Sequence, residues 1–170
     1  MSASASDRAV GQLIVVGVAD MRASRDADVS LITYALGSCL GLAVHDPAAG
    51  VAGLLHLMLP TGSIDPAKAE ANPHMFCDTG VPALFRACYA LGARKERMIV
   101  KVAGGTVSGD GSDHFQIGKR NVLTLRKLLW KNGVLLQGEE VGGLNVPRTM
   151  RLDVATGTVT LTTQGASRVL

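Results

Sequence analysis

The stretch TYALGSCLGLAVHD, Thr33–Asp46, sets two β-rich runs on either side of a Gly37-Ser38 turn, with Cys39 directly after it. Glycine at a turn admits backbone conformations and close approaches that other residues resist. A cysteine there is either a small packing residue or a sulfur presented to a ligand. Outward from it, VAGLLHLMLP (Val51–Pro60) is the next strand, reached through the turn DPAAG (Asp46–Gly50) and closed by Pro60. Upstream, QLIVVGVAD (Gln12–Asp20) reads as a strand and MRASRDAD (Met21–Asp28) as a loop. These strand-like runs follow one another closely, the pattern of an antiparallel meander.

Further along, TGSIDPAKAEANPHMF (Thr61–Phe76) reads as a long polar loop. A helix follows, with Asp78 or Thr79 as cap, Pro82 in its first turn, and Leu84, Ala87, Cys88 and Leu91 on one apolar stripe. RMIVKVAGG (Arg97–Gly105) is a strand ending in a glycine pair, and TVSGDGSDHFQ (Thr106–Gln116) a second loop. Residues 118–132 form another helix, with Val122, Leu125, Leu128 and Leu129 on one face and Asn132-Gly133 at its end. Then come VLLQGEEVGG, TMRLDV and TVTLTT, the last two joined by a tight ATG hairpin. Strictly alternating βα units are absent, so the order predicts an α+β domain whose sheets are covered on one side by the helices. The domain is expected over residues 12–163, with residues 1–11 a flexible start and 164–170 a tail.

Apolar residues make up 47% of the 170-residue chain and charged residues 18%, which suits one globular domain and not a disordered one. The net charge of +3 is mild and aromatics are only 4%, which argues against a nucleic-acid surface. RKER (Arg94–Arg97) reads as a solvated helix end or loop. The cysteines, Cys39, Cys77 and Cys88, form no disulfide framework. No secretory signal pattern opens the chain, and the apolar runs fall short of a membrane span, so a cytoplasmic protein with reduced thiols and no membrane insertion is expected. His74 and Cys77 make a lone His-x-x-Cys, too few ligands for structural zinc, so no metal is expected. Cys88 reads as core; His45 and His114 read as exposed.

The candidate chemistry lies in Cys39 and His56, on neighbouring strand-like runs. A free thiol is only a few per cent thiolate at neutral pH, and an adjacent imidazole that takes its proton creates a nucleophile. The backbone N–H groups around Gly37 and Ser38 can face a developing oxyanion. A catalytic histidine needs a third group to fix its tautomer, and Thr33 lies on the run leading into the turn. Taken alone, the pair also fits a packing cysteine and a satisfied core histidine.

The run LGSCLGLAVHDP followed by GLLHLMLP resembles the CheD family of chemoreceptor glutamine deamidases. DTGVPAL (Asp78–Leu84), Gly104-Gly105, IGKRN (Ile117–Asn121), EEVGG (Glu139–Gly143) and LDVATGTV (Leu152–Val159) follow in the family's order. The resemblance implies a Thr33–Cys39–His56 catalytic set that needs no cofactor. It implies stacked, mostly antiparallel sheets with two main helices on one face, similar to the catalytic domain of cytotoxic necrotizing factor. Its implied activity is that of a protein-glutamine glutaminase, acting on glutamines of the cytoplasmic helical bundle of methyl-accepting chemoreceptors, with a CheC-type phosphatase as partner. Departures occur at Thr106, where alanine is expected, and at Pro147, where glycine is expected; both bear on substrate choice. A non-catalytic chemotaxis module, or a cysteine amidohydrolase acting on another protein, is the alternative.

Overall fold

The computed structural model describes residues 11–110 and 115–170. Two five-stranded sheets lie face to face. One has the order β1 (Gln12–Val15), β3 (Val29–Leu36), β8 (Arg148–Asp153), β9 (Val159–Thr163), β10 (Ala166–Val169). The other runs β2 (Asp20–Ser24), β5 (Val51–Leu57), β4 (Leu40–Asp46), β6 (Ile99–Gly104), β7 (Gly138–Val141). Most pairings are antiparallel; β1 with β3 and β6 with β7 are parallel. Helices α2 (Cys77–Ala90) and α3 (Ile117–Lys131) cover the outer face of the second sheet, so the layers run helix, sheet, sheet, as expected for this α+β class.

The central strands β4 and β5 are buried along their whole length because both faces are covered. Side chains alternate across a strand. Leu40, Leu42, Val44, Leu55 and Leu57 pack toward the helices with Leu84, Cys88, Leu125 and Leu129. Ala43, Ala52 and Leu54 pack toward the first sheet with Leu31, Leu36, Met150 and Leu152. Each such fully buried leucine contributes roughly 1.5–3 kcal/mol relative to exposure. At the β4–β5 turn the buried Asp46 carboxylate accepts from the N–H groups of Ala48, Ala49 and Arg94 and pairs with Arg97 at 2.9 Å. That pairing fastens the RKER segment, a short 3₁₀ turn, to the sheet.

Several expectations need correction. The meander is absent: β1 runs parallel to β3, and the chain changes sheets between β3 and β4. The run read as a loop after Asp20 holds β2, an edge strand paired with β5 whose polar side chains hide its strand character. The polar segment before α2 contains a short helix, α1 (Pro66–Ala71), capped by the Asp65 carboxylate. Helix α2 begins one residue before Asp78, so Pro82 lies inside the helix; the Asp78 carboxylate accepts from the Gly62 N–H instead of capping. The segment read as a tail supplies β10, paired with β9. His45 is 4% exposed, beneath the β8–β9 hairpin, not at the surface. His114 and residues 1–10 lie outside the described residues. Among the described residues, no helix is long and apolar enough to cross a membrane.

Candidate active site

The site forms where β3 leaves one sheet and β4 enters the other. The β3–β8 register slips between Thr33 and Leu36, and Ala35 takes a left-handed conformation with φ of 57°. That bulge turns the chain outward, and Gly37, Ser38 and Cys39 bridge to β4. Glycine at Gly104 allows a φ of 114°, and a Cβ there would overlap the Cys39 carbonyl. With that side chain absent, the Gly105 N–H donates to the Cys39 carbonyl at 2.9 Å and the Thr106 N–H to the Gly37 carbonyl at 2.9 Å. The Gly37–Cys39 turn is thereby stitched to the end of β6.

His56 sits on β5 opposite Gly41 of β4. A Cβ on Gly41 would press on Leu36 and Met150 of the other sheet, so this face looks into the space between the sheets. There the Nδ1 of His56 lies 2.7 Å from the Thr33 hydroxyl, which crosses from β3. The same hydroxyl donates to the Val16 carbonyl at 2.7 Å. A hydroxyl has one proton to give. With that proton committed to Val16, Thr33 accepts from His56, so Nδ1 carries the hydrogen and Nε2 keeps its lone pair. Nε2 is buried and has no partner among the described residues. Cys39, half-buried, packs against the same inter-sheet cluster.

Thr33 and His56 are both fully buried. Burial pushes the His56 imidazole down to about 4. It also pushes the Cys39 thiol above its ordinary value, against the lowering effect of its own backbone N–H. Both groups are therefore neutral near pH 7, a thiol and an imidazole base and not a preformed ion pair.

Of the two turn residues expected to face an oxyanion, Gly37 does not: its N–H donates to the Ala35 carbonyl at 2.9 Å. The N–H groups of Ser38 and Cys39 donate to no carbonyl among the described residues. Beside the turn is a cavity of about 290 Å³ lined by Ser38, Thr106, Val107, Ser108, Ile117 and Asn145. Thr106, a departure from the family pattern, thus borders the turn that carries Cys39. Cys77 and Cys88 are buried, with thiols pushed up to about 12 mainly by burial. Sequence reasoning gave no role to Asn121. Its signal was a polar residue four before Leu125 and eight before Leu129, on the buried stripe of α3.

A thiol, an imidazole with a free lone pair and an orienting hydroxyl, at the end of a two-sheet sandwich, define a candidate cysteine-dependent hydrolase site. Residues 58–163 match the family model described as CheD chemotactic sensory transduction. A Syntrophus aciditrophicus protein named probable chemoreceptor glutamine deamidase CheD 1 is 49% identical over 89% of this chain and 94% of its own length. A Solibacter usitatus protein named probable chemoreceptor glutamine deamidase CheD is 49% identical over 92% of each chain. A Natronomonas pharaonis protein of the same name is 39% identical, covering 94% of this chain and 93% of its own. The chain belongs to the CheD family. A solved Neisseria meningitidis structure matched to the DUF152 family model aligns at TM-score 0.44 and 13% identity over 77% of this chain and 63% of its own, too distant to carry an argument.

Proposed function

We propose that this protein hydrolyses the side-chain amide of glutamines on chemoreceptor cytoplasmic helices, giving glutamate and ammonia, with Cys39 as nucleophile and His56 as base. The observation that carries the reading is the Val16–Thr33–His56 chain of hydrogen bonds, which leaves His56 Nε2 as a proton acceptor, with the half-buried Cys39 two residues before Gly41, the strand partner of His56.

Because both groups start neutral, proton transfer accompanies attack. Cys39 Sγ forms a bond to the carboxamide carbon while its proton passes to His56 Nε2. The carbonyl electron pair moves onto oxygen, where the Ser38 and Cys39 N–H groups donate. The tetrahedral adduct collapses, the C–N bond breaks, and imidazolium Nε2–H protonates the departing nitrogen to ammonia. Water then attacks the thioester with Nε2 taking its proton. That proton returns to the sulfur, leaving a glutamate side chain and a neutral Cys39. Thr33 holds the ring throughout; as a neutral acceptor it stabilises imidazolium less than a carboxylate does, in keeping with a base that charges only transiently.

The chemoreceptor substrate comes from the relatives' names. A protein-sized substrate also suits the surface. Exposed Val18, Tyr34, Phe115 and Leu144 all lie on strand ends or connections at the Cys39 end of the sandwich. Apolar side chains gathered at one end suit docking to a partner's apolar surface. The reaction is expected in the cytoplasm, where a receptor's signalling helices are reached. The test is peptide mass spectrometry of a co-expressed chemoreceptor cytoplasmic fragment. Wild type should convert defined glutamines to glutamate and Cys39→Ala should not. Equal, unmodified fragments from both would exclude this substrate.

A further inference from the structure

Asn121 lies in the first half of α3, on the helical layer, and is fully buried. Its Nδ2 donates to the Ser38 carbonyl at 3.0 Å and to the Met58 carbonyl at 2.9 Å. Both acceptors are carbonyls, so the nitrogen assignment follows from chemistry alone. Ser38 immediately precedes Cys39, and Met58 follows His56 by two residues.

The place of these two carbonyls is what matters. The β4–β5 ladder ends at the Leu40–Leu57 pair. Beyond it the strands part. The Ser38 side turns toward the other sheet, and the Met58 N–H donates to the Met75 carbonyl at 2.8 Å. Strand pairing holds His56 opposite Gly41 but stops at the Leu40–Leu57 pair, one residue short of Cys39. Just past that last pair one primary amide, with its two N–H groups spent on the two diverging chains, ties them together. The same residue leaves its Oδ1 buried and unpartnered among the described residues. A side chain selected for stability alone has no reason to keep a buried acceptor unsatisfied; a clamp that needs both donors does.

We propose that Asn121 is a positioning residue for the reaction: through the Ser38 and Met58 carbonyls it sets the separation of Cys39 and His56, and it links that separation to the seat of α3. It touches neither the thiol nor the imidazole. The seat of α3 is tight. A Cβ on Gly118 would fall against the Thr106 carbonyl oxygen, and one on Gly105 would fall 2.6 Å from Val122 Cγ2. A shift of α3 on the β6 end would pull on the Ser38 and Met58 carbonyls through Asn121.

The inference rests on the Cys39–His56 reading, and the experiment separates their failures. Deamidation of a chemoreceptor cytoplasmic fragment is followed by mass spectrometry for wild type, Asn121→Ala and Leu128→Ala, a packing control on the same helix. A displacement of about 1 Å between reacting groups costs about 100-fold in rate. The expected result for Asn121→Ala is a fall in kcat of about 100-fold with KM within about twofold, and a larger loss of kcat than in Leu128→Ala at equal or smaller loss of Tm. Should Asn121→Ala not fold, Asn121→Ser is held to the same criterion. A kcat retained within about threefold, or one that tracks Tm across both helix variants, overturns the proposal. A second readout needs no receptor. Cys39 alkylation by iodoacetamide is measured with and without His56→Ala, in the wild-type and Asn121→Ala backgrounds. His56→Ala should slow alkylation in the wild type, and that slowing should be lost in the Asn121→Ala background; an undiminished effect overturns the clamp. If wild type leaves the receptor fragment unmodified while this coupling holds, the substrate reading fails and the role of Asn121 stands.

Discussion

Thr33 shows how much chemistry one hydroxyl can settle. By donating to Val16 it is left to accept from His56, and so decides which ring nitrogen is basic. Thr33→Val keeps the shape and removes the hydroxyl, which strands the His56 Nδ1–H and the Val16 carbonyl in the interior. The expected cost is about 1–3 kcal/mol of stability. Deamidation should fall further than the stability loss explains, and Thr33→Ser should restore it; denaturant midpoints and turnover on the same samples decide. A Thr33→Val enzyme with wild-type turnover would mean the ring is oriented by something else. The cysteines offer a second test. With its thiol pushed up by burial, Cys39 should alkylate at a rate still climbing above pH 9, the ordinary thiol value. Cys77 and Cys88, buried and near 12, should stay unmodified in the native protein, so intact mass should show a single adduct. A rate that levels off below pH 8 would instead indicate a stabilised thiolate.

At the scale of elements, the site depends on close approach of α3 to the glycine-ended strand β6. Helix propensity alone says that Gly118→Ala should stabilise α3 by about 1 kcal/mol. The packing says the opposite, since the added methyl meets backbone at Gly105 and Thr106 that cannot swing away. We expect a net loss of roughly 1–3 kcal/mol by urea unfolding. A stabilised variant would show that the helix can back off without consequence. The bulge at the end of β3 is the counterpart on the other sheet. Ala35 at positive φ stores strain of order 1 kcal/mol, held in place by the Gly37 N–H to Ala35 carbonyl bond. That strain is what lets one strand deliver Thr33 to the interior and Cys39 to the edge of the opposite sheet.

For the whole molecule, two buried histidines connect stability to acidity. His56 at one end of the sandwich and His45 at the other are both held neutral, mainly by burial, with values below 6.5. Above pH 6.5 each is neutral folded and unfolded, and neither makes stability depend on pH. As pH falls below 6.5 the unfolded chain gains protons that the folded chain refuses, so stability is lost progressively toward pH 4. For His56 alone the loss has an upper bound of about 3 kcal/mol. Urea midpoints at pH 7.5 and 4.5 should therefore differ for wild type, and the difference should shrink in His45→Asn and in His56→Gln. Equal pH sensitivity in all three proteins would assign the acid loss to other groups.

Much of this protein is legible along the chain, and the reason is locality. Strand and helix identity come from periodicity within a few residues, as in the apolar runs of β4 and β5 and the stripe of α2. Turn chemistry at Gly37-Ser38 and the Asn132-Gly133 stop are equally local, while the Thr33, Cys39 and His56 set is implied by resemblance alone. What only the tertiary structure decided are relations between distant segments. Edge strand β2 carries polar residues because one side of it meets solvent, so its strand character exists only through pairing with β5. Parallel pairing of β1 with β3, the sheet change at Cys39, the burial of His45 and the loss of the Gly37 N–H to Ala35 follow from how the layers close. So does Asn121, a polar residue on an apolar stripe whose partners lie 83 and 63 residues away in sequence. Short-range patterns select elements because backbone and side-chain sterics act within a turn or a pleat. Which chains part, and which side chain holds them, is settled only when the buried polar groups of the closed sandwich must find their partners.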